Sequence, residues 1–301
     1  SGGRNTAIGY EALSTATQLT HNVAIGWQTM KDSSATTSHR NIGIGSFVMD
    51  SIGANVANDN VAIGYNNLTN LTTGDNNTVL GSQAGVQVNT GTDNTFVGFQ
   101  VANGLTDGNF NVAMGFNALV SMVSGDRNVA IGYKALEDAN EDAINRNTAV
   151  GCNAALNLTT ATKTVVIGDD AIGDGVCTGD QNTAVGQGAG YALTSGNTNT
   201  LIGGDAGVAI TTGQSNVSVG KASGYSQVTG DFNVYVGYEA GYYNANSDTE
   251  GHNVLIGYDN GKSITTGTNN VGLGSRAMGE SGSNAITGAN NVCLGSLAGY
   301  N

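Results

Sequence analysis

Short runs in which apolar and polar residues alternate recur along the whole chain: "NTAIGY" at residue 5, "NVAIGW" at 22, "NIGIGS" at 41, "NVAIGY" at 60 and 128. Aligned on the Asn, the copies start at 5, 22, 41, 60, 77, 94, 111, 128, 147, 182, 199, 216, 233, 253, 270 and 291. Thr164 stands for Asn in a seventeenth copy. Ten of the sixteen spacings are 17 residues and the others are 18 to 21. With Asn as position 1, position 2 is always Val, Ile or Thr, and position 4 always Ile, Val, Leu or Met. Position 3 varies freely, as Ala7, Gly43, Phe96, Ser218 and Tyr235 show, and Gly holds position 5 in every copy. Alternation with a period of two predicts a short strand in each copy, with positions 2 and 4 on its buried face.

Position 8 is Ala in eleven copies, among them Ala12, Ala84, Ala118 and Ala277, which predicts a second, tightly packed strand after the Gly bend. Most copies also carry a Gly three residues before the Asn, as in "TTGDNN" and "CTGDQN", which is turn chemistry. One copy therefore reads as one coil of an all-β parallel β-solenoid, with about 17 coils over residues 1–301 as a single repeat domain. A lone coil cannot bury its apolar face, whereas stacked coils can. At about 4.8 Å per coil the stack would be roughly 80 Å long. The Asn column (Asn5, Asn22, Asn41, Asn60, Asn77, Asn94, Asn111 and Asn128 in the first eight copies) is predicted to form a hydrogen-bonded ladder. The Gly column (Gly9, Gly26, Gly45, Gly64 and onward) is predicted to make the bends. Asp lies two residues before the Asn at Asp75, Asp126, Asp180 and Asp231, every third copy, so stacking in register would keep these carboxylates out of adjacent layers.

Composition narrows the function. The 47 Gly with no Pro rule out collagen, and the abundant Val, Ile and Leu argue against disorder. A net charge of −13 argues against nucleic acid or an anionic membrane as partner. No apolar run is long enough for a membrane helix. Cys152, Cys177 and Cys293 form no metal-binding or disulfide pattern and are expected to be free.

The motifs "NTAIGYEAL", "NNTVLGSQAG" and "NVAIGYKAL" resemble the repeats of trimeric autotransporter adhesin heads, and the Gly/Asn-rich repeats of bacteriophage tail fibres, over essentially the whole chain. The resemblance implies a left-handed parallel β-roll, a homotrimer, and an extracellular place on a cell surface or virion. The 17-residue coil is longer than that of the adhesin heads. Because the sequence begins and stops inside a repeat, a piece of a longer fibre chain is expected.

Few residues suggest chemistry. "GQGAGYALTSG" at Gly186 lacks dinucleotide-loop spacing. No cofactor is expected. Glu137, Asp138, Glu141 and Asp142 in an enlarged loop could collect a hard cation or simply be solvated. His21, His39 and His252 lie beside motif Asn residues without ligand spacing. Position 6 holds Tyr10, Trp27, Tyr65, Phe99, Phe116, Tyr133, Tyr238 and Tyr258, a column that could stack on a cell-surface glycan or seal a contact between chains. No carboxylate pair suits glycoside hydrolysis, and no enzyme is expected. An ice-binding role, which wants a flat, regular Thr-x-Thr ladder, is set aside because Thr at position 2 alternates irregularly with Val and is read as facing the core. The expected function is a structural fibre segment serving attachment, with an end-to-end polymerised filament as the alternative.

Overall fold

The computed structural model describes residues 3–15, 18–32, 38–52, 56–139, 144–243, 251–279 and 287–299. Its seventeen strands run from β1 (Thr6–Ile8) to β17 (Val292–Leu294), one per copy, and the described residues contain no helix. Two compact units, residues 1–147 and 148–301, divide the chain. In the first, β1 to β8 (Val129–Ile131) pair in sequence order, each parallel to the next. In the second, β9 (Thr148–Val150) to β17 do the same. Every pairing sets like position on like position, such as Thr95 on Val112 and Val97 on Met114. The fold is a parallel β-solenoid with a coil of about 17 residues.

The strand faces are the reverse of the expectation from hydrophobicity. Position 3 is the core position: Ala24, Ala62, Val79, Phe96, Ala113, Leu201 and Tyr235 are at most 1% exposed. Positions 2 and 4 lie on the outside. Ile25 and Ile44 are half-buried, and Ile8 is 58% exposed. The interior is too narrow for two branched side chains per strand. It is filled by position 3, by position 8 (Ala84, Ala118, Ala135), by position 9 (Met30, Leu68, Leu119) and by position 12 (Leu71, Val88, Leu105, Ile210).

The predicted second strand is also replaced. Residues 6 to 10 of a coil run as linked turns in which positions 7 and 9 are left-handed in every copy. The residue before the Asn is left-handed too, as at Arg127 (φ 59). An L-residue in this conformation costs roughly 1–2 kcal/mol. Stacking offsets that cost, because the strained amides bond to adjacent coils. Lys134 N–H donates to Phe116 O (2.9 Å), Leu119 N–H to Ala135 O (3.0 Å) and Arg127 N–H to Asn109 O (2.9 Å).

Position 9 explains why position 3 varies. Where position 9 is large, position 3 is small, as in the pairs Ala24/Met30, Gly43/Met49, Ala62/Leu68 and Ala130/Leu136. Where position 3 is largest, position 9 is Gly or Ala, as in Leu201/Gly207, Tyr235/Gly241, Leu255/Gly261 and Phe96/Ala102, whereas Val166/Ile172 fills its coil with two mid-sized residues. A Cβ at Gly261 would lie 2.5 Å from Leu255 Cδ1, and one at Gly241 would lie 2.9 Å from the Tyr235 ring. Gly261→Leu alone should therefore overpack its coil and cost about 1–3 kcal/mol. Adding Leu255→Ala, which recreates the Ala130/Leu136 arrangement, should recover most of that loss in a thermal melt. Equal melting temperatures for the single and double variants would refute the exchange.

The Asn column is a ladder, and it is buried. From Asn41 to Asn128 every member is fully shielded. Each Asn Oδ1 accepts the backbone N–H of the next ladder Asn, for example Asn77 N–H to Asn60 Oδ1 at 2.9 Å and Asn94 N–H to Asn77 Oδ1 at 3.1 Å. Most Nδ2 groups also donate forward to the carbonyl three residues before the next ladder Asn, as Asn77 Nδ2 does to Gly91 O at 2.8 Å and Asn128 Nδ2 to Ile144 O at 2.9 Å. A second ladder runs the other way. Two residues before the Asn, the backbone N–H donates to the side chain one coil later: Asn58 to Asp75 Oδ1 (2.6 Å), Asn109 to Asp126 Oδ1 (2.8 Å), Thr162 to Asp180 Oδ1 (2.7 Å) and Gln214 to Asp231 Oδ1 (2.8 Å). The coils on either side of each Asp supply uncharged residues there, such as Asn58 and Thr92 around Asp75, so no two of these carboxylates are stacked.

Candidate functional site: an exposed aliphatic face

With position 3 inside, the most apolar columns of the sequence are left on the surface. Position 4 is aliphatic in every copy. Leu80, Met114, Ile167, Ile202, Ile256 and Leu273 are each 38–47% exposed. Position 2 beside it is β-branched throughout. In the longer strands, such as β4 (Val61–Tyr65) and β6 (Thr95–Phe99), the sheet continues to position 6, which is exposed in both. Among the described residues 26 large hydrophobic side chains are exposed, and 19 of them fall at positions 2, 4 and 6 or just before the Asn. The apolar surface is thus concentrated on one face of the coils rather than scattered, and no charged residue occurs at positions 2 or 4. Contiguous apolar patches of this kind mark interaction surfaces.

The aromatic column at position 6 edges this face. Tyr10 stacks on Trp27 (centroids 4.2 Å apart), Phe99 on Phe116 (5.5 Å), Phe116 on Tyr133 (5.4 Å) and Tyr238 on Tyr258 (5.5 Å). Tyr65 has Ser46 and Ser82 as its ladder neighbours and meets Phe47 edge-on at 6.1 Å. An inner ring such as Phe116 gives both faces to its neighbours and presents its edge outward. A sugar stacks on a ring face, so this geometry suits packing against another surface better than glycan stacking.

Other candidate residues are placed as follows. Glu137 pairs with Lys134 at 2.9 Å, while Glu141 and Asp142 lie outside the described residues. Among the described residues no group of three or more His, Cys, Asp or Glu side chains could hold a metal ion. His21 lies 3.2 Å from Arg4 Nη1, His39 Nδ1 lies 2.5 Å from Thr20 Oγ1, and His252 stacks on Phe232. The three cysteines are free, as expected. Cys152 is exposed, and burial pushes the Cys177 thiol up to about 11. Gly186, Gly188 and Gly190 of the glycine-rich stretch occupy the bend and the two left-handed turn positions of their coil. Among the described residues no helix is long and apolar enough to cross a membrane.

Fold and surface together define a β-solenoid repeat protein with an exposed aliphatic face on each unit. No family model, curated protein or solved structure matches the chain.

Proposed function

We propose that this chain is a structural segment of an extracellular fibre, assembled as a homotrimer through its aliphatic face and serving attachment to a surface or host. The observation that carries the reading is the uninterrupted row of aliphatic residues on the outside of the coils. A face eight strands tall in the first unit and nine in the second, at about 4.8 Å per strand and about 20 Å wide from the residue before the Asn to position 6, covers on the order of 800 Å² in each unit. That is the area one partner contributes to a stable protein interface. The stacked rings at position 6 would anchor its border, in keeping with the enrichment of aromatics at interface cores. The resemblance to adhesin heads and tail fibres supports both the trimer and the extracellular setting. Attachment itself would fall to the enlarged loops between position 9 and the next Asn, such as those in residues 31–40, 50–59 and 137–146, where all but one of the extra residues fall.

One expectation changes in weight. The Thr residues at position 2, such as Thr78, Thr95, Thr183 and Thr200, share the outward face, so one of the two grounds on which ice binding was set aside, burial in the core, no longer holds. Val or Ile occupies that position in eleven of the seventeen copies and breaks the hydroxyl rank, so the face favours protein over ice.

Replacing Ile131 and Ile202 by Lys tests the reading. Each is at position 4, so the fold should survive with an unchanged circular dichroism spectrum, and the multimer should dissociate to monomer. A double variant that keeps the wild-type mass would end the proposal. Ala130→Lys, one residue away but in the core, should instead unfold its region.

A further inference from the structure

The coil that starts at Asn216 has a polar interior. Three polar side chains besides its ladder Asn are fully buried there: Ser218 at position 3, Ser223 at position 8 and Gln227 at position 12. Ser218 is the one Ser or Thr in the position 3 column. Position 12 is apolar in the two coils before it, where Leu193 and Ile210 fill the core. Ser223 is satisfied, because its Oγ donates to Gly220 O at 2.9 Å. Ser218 Oγ and Gln227 Oε1 are buried and have no hydrogen-bond partner among the described residues. Such orphaned atoms are rare in native interiors, and two of them in one coil call for a shared partner.

Gln227 gains nothing by turning its amide over. Its Nε2 donates to Asn216 Oδ1 at 2.9 Å and also to Gly230 O. Exchanging the amide atoms would set an oxygen against two further acceptors, so Oε1 is fixed as the atom that needs a donor. Ser218 is fixed too, because parallel pairing holds it between Leu201 and Tyr235, both larger. Toward position 9, a Cβ at Gly224 would lie 2.8 Å from Ser218 Oγ and 2.9 Å from Tyr235 Cδ2. The Tyr235 ring therefore closes that side of the hydroxyl. We propose that this coil binds one internal water molecule, which donates to Gln227 Oε1 and accepts from the Ser218 hydroxyl. Water matches the pair, since one orphan can only accept and the other can donate. The site is independent of what covers the aliphatic face.

The test uses the full chain and oxygen-17 relaxation dispersion, which counts water molecules held for longer than the protein takes to tumble. Wild type should exceed Ser218→Ala/Gln227→Leu by one such molecule. That double variant gives the coil the interior pair Ala184/Leu193, which the coil starting at Asn182 already accommodates. In thermal melts each single variant should fall below wild type, and the double variant should recover most of the loss, because it leaves neither orphan behind. A high-resolution crystal structure of the wild type should place a water within hydrogen-bonding distance of both atoms, whether or not the variants fold. Equal water counts in wild type and the double variant would overturn the site. So would losses that simply add, or a crystal structure in which Ser218 Oγ bonds directly to Gln227 Oε1.

Discussion

Gly64→Ala should abolish stable folding of the coils around it. A Cβ at Gly64 would sit 1.7 Å from the carbonyl oxygen of Gly81 and 2.8 Å from its carbon. Both are backbone atoms pinned by the parallel pairing of neighbouring strands, so neither side can withdraw. The φ of +137 is in addition a conformation that L side chains rarely adopt. Close backbone approach and disallowed φ act together, and a loss above about 4 kcal/mol is expected, at the exceptional end for single substitutions. Hydrogen exchange should show amide protection collapsing in β4 and the strands beside it. Gly204→Ala is the control. It lies just after a bend glycine, and the nearest atom to its Cβ would be 4.0 Å away, so stability should change by less than about 0.5 kcal/mol. Equal effects at the two sites would show that the bend column is not held by backbone contact.

The second large effect is expected at Asn94. Its Nδ2 donates to Asn77 Oδ1 at 3.0 Å and to Gly108 O at 2.8 Å, and its Oδ1 accepts the Asn111 backbone N–H at 2.9 Å. All of this is fully buried. Asn94→Ala leaves at least the Asn111 N–H and the Gly108 carbonyl without a partner. At about 1–3 kcal/mol for each buried unpaired group, the loss is about 2–6 kcal/mol. Asn94→Thr should cost less, because Thr164 fills the same position in its own coil with its side chain fully buried. Denaturant unfolding would rank the variants. Ala ranking equal to Thr would mean that the ladder adds little beyond volume.

The repeat, its register and its Asn ladder were legible in the sequence because each depends on residue identity at fixed spacing. The face assignment was not. Hydrophobicity ranks Ile25 and Ile44 above Ala24 and Gly43, and a rule that buries the more apolar alternate residues places the former inside. The signal that could have corrected it was the reciprocal size of positions 3 and 9, visible in Ala130/Leu136 against Leu255/Gly261. No copy sets two of the largest side chains at both positions, as a confined interior requires. The left-handed turns were hidden because non-glycine residues as different as Glu11, Leu119 and Ile172 adopt them, held by bonds between coils rather than by local preference. The candidate site follows from the same inversion. A column such as Ile167, Ile202 and Ile256 looks like core when read along the sequence, although it lies on the outside of its coils.

Covering of the aliphatic face by other copies is the claim on which the functional account rests, and the mass of the intact protein in solution tests it most directly. Sedimentation equilibrium at micromolar concentration should return about 91 kDa, three times the 30.3 kDa chain. A particle of 30.3 kDa with native circular dichroism would contradict it, because the aliphatic face would then be stable in water with nothing against it.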